Sequence, residues 1–239
     1  MIEEKERGIL LFNKISSENN LYVKILTSKD ELLTGLIFGG SSSKKKNIYQ
    51  NGYFLNINIK SKNHISPNNL SAELASPYYH NIFNDKYKLH CLLATISLLN
   101  ISIIEGQKIN GLFNSSEGII QNISNNEKWI IDYFLYLFNL LKLIGYEIDF
   151  NKNLSKNYFN LDSLQFEDSN NSKSIIFPHL LLNKQQKINK ENAKSFFNIF
   201  ETILQNHHLN NMNLNIPTYY LKFKKLILDY LSRKNEKYN

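Results

Sequence analysis

Cysteine is almost missing from this sequence: Cys91 is the only one in 239 residues. A single thiol excludes an intramolecular disulfide and a cysteine-built zinc site, and so points to an intracellular compartment. Arginine is nearly as scarce, at Arg7 and Arg233 alone, so lysine carries the positive charge. Long apolar runs are missing as well. The most hydrophobic stretch, residues 129 to 144, is interrupted by Asp132, Asn139 and Lys142 and falls short of a membrane span. The opening MIEEKERG is acidic where a signal peptide would be basic. These absences lead to the expectation of a cytoplasmic protein with no membrane contact. There is no phosphate-binding glycine loop, dinucleotide fingerprint, HExxH pair or nucleophile elbow. The histidines are scattered, the carboxylates show no pairing, and Cys91 lies in an apolar stretch that reads as core. The sequence is therefore read as that of a protein that is not an enzyme, with no metal and no cofactor.

What is present describes a folded, basic chain. Hydrophobic residues make up 42% and aromatics 13%, enough for a buried core in one large domain or two small ones. The net charge is +7 and the isoelectric point about 9.2, which favours acidic partners. Abundant lysine, asparagine and isoleucine also follow from an AT-rich genome, so the distribution of charge says more than its total. Between Leu32 and Ala72 stand Lys44, Lys45, Lys46, Lys60 and Lys62, with no Asp or Glu.

That segment opens with LLTGLIFGGSSSKKKN, residues 32–47. An apolar run of strand length ends in Gly39-Gly40, which lets the chain leave the strand sharply, and a flexible polar loop with three adjacent lysines follows. Such a block attracts polyanions, though a solvated turn has the same composition. Around it lie further short runs with period two: 8–16, 21–27 (Leu21, Val23 and Ile25 alternating with Tyr22 and Lys24), 53–60 (Leu55, Ile57 and Ile59 opposite Asn56, Asn58 and Lys60) and 69–75 after a turn with Pro67. Five short strands in about 70 residues predict a small antiparallel barrel of OB-fold size. Tyr22, Lys24 and Lys60 on its outward set suit a single strand, since bases stack on aromatics and lysines track phosphates. OB-folds bind across strands 2 and 3 and the loops 1–2 and 4–5, whereas the lysine triplet falls between strands 3 and 4. It is placed in that groove or beside it.

After Ser76-Pro77 the pattern becomes helical. Leu89, Leu92, Leu93, Ile96 and Leu99 predict an amphipathic helix over 85–104, and a second spans 108–123. Asn126 is the expected cap of a third, stopped by Gly145. Residues 149–173 lack a period. Asn189 caps a segment at 190–206, and Pro217 starts the last helix. The predicted class is α+β: an OB-fold barrel at 1–76 followed by a helical domain at 77–239, with 151–174 irregular. On the residues alone three readings stay open: binding of DNA, binding of RNA, and a protein-interaction module whose lysines reflect genome bias.

The order of these features resembles the RecO family of bacterial recombination mediators. The GILL strand, the LTG-x-x-x-GG turn into a Ser/Lys loop and NGYFLNINIK resemble its N-terminal barrel. LLKLIGYEIDF resembles its helix, glycine stop and following stretch, and IPTYYLKFKKLILDYL its closing helix. The resemblance implies binding of single- and double-stranded DNA, annealing of complementary strands, and work with RecR in helping RecA load onto DNA coated by single-strand-binding protein. It also implies contact with the C-terminal tail of that protein, a nucleoid-associated cytoplasmic location, and no hydrolysis. Many members carry a cysteine zinc site just after the stretch matching Gly145–Phe150; this chain has no cysteine there. The candidate DNA contacts are Lys44, Lys45 and Lys46, helped by Lys24, Lys60, Arg7 and Tyr22.

Overall fold

A computed structural model describes residues 2–17, 19–61, 68–75, 80–149, 153, 155–179 and 188–236. The chain forms two compact units, Met1–Ser124 and Asn125–Asn239. The division into compact units falls later than the expected 76/77 boundary, because three helices that follow the strands belong with them. Lys62, the Pro67 turn and Ser76-Pro77 lie outside the described residues.

In the first unit β1 (Ile2–Ser17), β2 (Asn20–Thr27), β3 (Leu32–Ile37), β4 (Phe54–Ser61) and β5 (Asn68–Leu74) close a barrel in the order β1-β2-β3-β5-β4. This is the expected α+β architecture with an OB-type barrel in front, amended in one respect. The β3–β5 pair is parallel, while every other pair is antiparallel. A ring of five strands cannot alternate direction all the way round, so one neighbouring pair must run the same way. The period-two residues fill the interior: Leu21, Val23 and Ile25 meet Leu10, Ile37, Leu55, Ile57 and Leu70.

β1 serves two neighbours. Its first half pairs with β4, from Ile2↔Ser61 to Ile9↔Phe54, and its second half with β2, from Gly8↔Thr27 to Ser17↔Asn20. At the changeover only glycine fits, since a Cβ on Gly8 would fall 2.4 Å from Ile25 Cγ2 and 2.9 Å from the Leu26 carbonyl oxygen. A register shift between Leu10 and Phe12 then re-aims the strand.

Three helices complete this unit: α1 (His80–Phe83), α2 (Lys86–Ser102) and α3 (Leu112–Asn125). Asp85 caps α2, accepting from Tyr87 N (2.7 Å) and Lys88 N (3.1 Å). The expected amphipathic helix is instead enclosed on every side over its second half: from Cys91 to Ser102 no residue is exposed. A helix apolar all round has no solvent face to show. Cys91 is core, and burial pushes its thiol pKa up. α3 begins at Leu112, later than its apolar pattern implies, because Asp30 from the β2–β3 turn supplies the cap. Its carboxylate accepts from Gly111 N and Phe113 N, both at 2.8 Å.

The second unit holds α4 (Trp129–Leu143), a small sheet of β6 (Tyr158–Asn160), β7 (Gln165–Glu167) and β8 (Ser174–Ile176), then α5 (Lys190–Ile203) and α6 (Thr218–Glu236). Lys128, not Asn126, occupies the N-cap of α4. Asn126 sits two residues back, accepting from Lys128 N at 2.9 Å and bonding to Asp132. Gly145 stops α4 as expected, at φ 101°, with Tyr146 N donating to Leu141 O (2.7 Å) and Gly145 N to Lys142 O (3.0 Å). Phe134 of α4 stacks on Phe196 of α5 (4.8 Å), and Tyr133 meets Phe223 of α6 edge-on (4.9 Å). Asn189 caps α5.

The sheet β7-β6-β8 lies in the segment that reads as irregular. Strands of three residues are too short to display a period, and what holds them is a ring cluster. Phe159 and Phe177 stand 5.1 Å and 4.8 Å from Phe166. Glu167 ties the strands together, accepting from Ser174 Oγ (2.6 Å) and Asn160 Nδ2 (2.8 Å), bonds that hold its carboxyl below the usual range. Among the described residues no helix is long and apolar enough to cross a membrane.

Candidate nucleic-acid interface

The β3–β4 connection, residues 38–53, starts at the glycine pair. Gly39 has φ 66°, a left-handed angle that strains any side chain, and a Cβ on Gly40 would sit 3.0 Å from both Ile37 Cγ2 and Leu21 Cδ1. Beyond them the chain is not the loose loop that its serines imply. Ser42 Oγ donates to Gly39 O (2.7 Å), and Lys45 N and Lys46 N both donate to Ser42 O (3.0 and 2.9 Å). Gln50 Nε2 donates to Lys46 O (2.8 Å), and Asn13 Nδ2 from β1 to Tyr49 O (2.9 Å). Tyr49 itself is a core residue, its hydroxyl on the Ala72 carbonyl (3.3 Å) and its phenol pKa pushed up by burial. Lys44, Lys45 and Lys46 therefore stand exposed on the crest of hydrogen-bonded turns anchored in the barrel.

The root of this loop is bonded to the β1–β2 turn: Ser41 N donates to Asn19 O (2.9 Å) and Gly39 N to Asn20 Oδ1 (3.1 Å). Loop 1–2 is one of the loops that OB-folds usually bind with, and the triplet's loop is rooted on it. Along β2, two residues on from Asn20, comes Tyr22. Register places Lys14, Tyr22 and Leu36 in one row across β1, β2 and β3, and Phe12, Lys24 and Thr34 in the next. Lys24 Nζ lies 6.0 Å from the Phe12 ring centroid, which holds the ammonium over an aromatic face. Thr34 donates to the Glu105 carboxylate, which marks the far edge of this face.

Lys60 and Arg7 lie elsewhere. Lys60 faces outward on β4, beside Asn69 of β5. The Arg7 guanidinium pairs with Glu117 of α3 at 2.6 Å and lies over the rings of Phe54 (5.1 Å) and Phe113 (5.9 Å). Its charge binds α3 to the barrel. Nearby, Lys29 pairs with Glu4 and Glu6, which raises its ammonium pKa. A shallow depression there is lined by Lys5, Glu6, Arg7, Asn58 and Glu73, a mixed rather than basic set.

The structure thus groups Lys44–Lys46 with Tyr22 and Lys24, and separates Lys60 and Arg7 from them. Sequence reading missed Phe12 and Lys14. The β1–β2 register would have found them, but Ile9, Leu10 and Leu11 are all buried in succession and the shift before Phe12 breaks the alternation.

The family model described as "Recombination protein O C terminal" matches residues 84–171, from the approach to α2 through β7. The DNA repair protein RecO of Rickettsia canadensis is 24% identical over 201 residues, covering 80% of this chain and 83% of that one. That of Rickettsia bellii is 27% identical over 148 residues, covering 62% of this chain and 61% of its own length. The family model and these relatives both point to the RecO family, to whose members the chain is similar. The chain departs from the zinc-binding pattern that the resemblance implies, and the residues present do not fit that metal. Cys91 is fully buried in α2, and among the described residues no group of three or more His, Cys, Asp or Glu is placed to hold an ion. Where that pattern places its metal loop, β6–β8 are packed around phenylalanines.

Proposed function

We propose that this chain is a non-enzymatic recombination mediator that binds single- and double-stranded DNA through one side of its barrel, anneals complementary strands, and helps RecA load onto DNA covered by single-strand-binding protein. The relatives support a role in DNA repair. The observation that carries the finer reading is the crest of Lys44, Lys45 and Lys46, exposed and rooted on the β1–β2 turn beside Tyr22 and Lys24. Lysines on a crest hold phosphates without reading sequence, and screening one strand lowers its repulsion for the complement. Lys60 and Arg7 play a lesser part in this scheme, since they lie apart from the crest. The helical unit is the proposed platform for RecR and for the tail of single-strand-binding protein, in the cytoplasm at the nucleoid.

Fluorescence anisotropy with a labelled single-stranded oligonucleotide across a salt series tests this. Five phosphate contacts predict a slope of log K against log salt of about −3.5, and Lys44→Ala/Lys45→Ala/Lys46→Ala is expected to flatten it by about two. Tight binding unchanged in the variant moves the site off the crest. No binding by the wild type at low salt overturns the mediator reading.

A further inference from the structure

We propose that the outer face of β1–β2–β3 is a stacking platform selective for unpaired bases, with Phe12, Tyr22 and Phe38 as its rings; this rests on the DNA-binding reading above. Phe12 and Tyr22 occupy successive rows of the face, each beside a lysine: Phe12 next to Lys24, Tyr22 next to Lys14. Phe38 follows β3 directly, two residues beyond Leu36 of the Tyr22 row, and is 55% exposed. The face has a definite inner limit. The row beyond Phe12, made of Ile9, Leu26 and Leu32, is buried, so the open stretch runs from Phe12 to Phe38 and ends under the lysine crest.

Strandedness follows from spacing. Phe12 and Tyr22 stand on adjacent strands in successive rows, and rows about 7 Å apart on strands about 4.8 Å apart put such positions about 8 Å apart. Stacked bases in a duplex strand are about 3.4 Å apart and enclosed by their partners. Rings at the wider pitch fit a strand whose bases are splayed, each laid on an aromatic face, with Lys14 and Lys24 beside the rings for the phosphates. Neither lysine has an ion pair among the described residues. The crest, by contrast, meets phosphates of any nucleic acid. Two properties are thereby divided between two features: the crest supplies affinity and salt dependence, and the rings supply the preference for single strands.

The experiment compares anisotropy of the full chain with a labelled thymidine oligonucleotide and with a blunt duplex across a salt series. Phe12→Leu/Phe38→Leu is expected to weaken single-strand binding by about tenfold per ring, leave duplex binding within about twofold, and leave the salt slope unchanged. Phe12→Tyr/Phe38→Tyr is expected to restore the preference. Phe38→Leu alone, at an exposed position that the fold does not need, is expected to show the single-ring loss and so guards against misfolding of the double variant. Equal losses on both ligands, or no loss on the single strand, overturn the platform while leaving DNA binding intact. A wild type that binds neither ligand overturns the underlying reading, and the platform with it.

Discussion

The two sides of the barrel carry similar numbers of positive side chains and use them differently. On the β1–β2–β3 side, Lys14, Lys24 and the crest at Lys44–Lys46 have no ion pair among the described residues, and Lys24 lies over Phe12. On the β1–β4 side, Arg7 is paired with Glu117 and Lys29 with Glu4 and Glu6, and Glu73 sits across from Asn56. The first set is available to an outside anion; much of the second already serves the fold. A count of basic residues therefore says little about where a polyanion binds. What a cation already touches says more.

Substitutions on each side separate these roles. Arg7→Ala removes a partly buried ion pair and a cation held over two rings, and leaves Glu117 without its partner. A loss of roughly 2 kcal/mol in urea unfolding is expected, with the salt slope of DNA binding unchanged. A flattened slope in that variant would erase the distinction between the sides. Lys24→Ala takes one phosphate contact from the open side. Its slope on single strands is expected to fall by about 0.7, with little change in the unfolding midpoint. Lys60→Ala, away from the crest, is expected to alter single-strand affinity by no more than about twofold at moderate salt, in line with its exposed position. A larger drop than in Lys24→Ala would show that the strand wraps round to β4.

Much of the barrel was legible because half-buried strands declare themselves by alternation: Leu21, Val23 and Ile25 face in, Tyr22 and Lys24 face out. The stop at Gly145 and the cap at Asn189 were legible for a similar reason, being local chemistry confined to a few residues. What escaped depends on distant partners. Nothing near Arg7 in the sequence announces Glu117, and nothing near Asp30 announces the start of α3. The enclosure of α2 was hidden because Leu89, Leu92, Leu93, Ile96 and Leu99 satisfy a helical stripe while Ala94, Thr95 and Ser102 are buried outside it. The sheet at 158–176 was hidden by brevity, and Phe12 by a single shift of register.

Among the described residues, the parallel contact between β3 and β5 rests on two register pairs, Gly35↔Asn68 and Leu36↔Asn69. Every other seam of the ring has more pairs among these residues. In hydrogen exchange this makes the ring open like a clasp rather than melt evenly: amides along β3 and β5 trade their protons first, and those shared by β1 and β2 last. Leu36 is also a member of the row that contains Tyr22. A ligand lying across that row would bridge toward the clasp, and its arrival would register as slowed exchange at residues 35–36 and 68–69, some way from any lysine it touches.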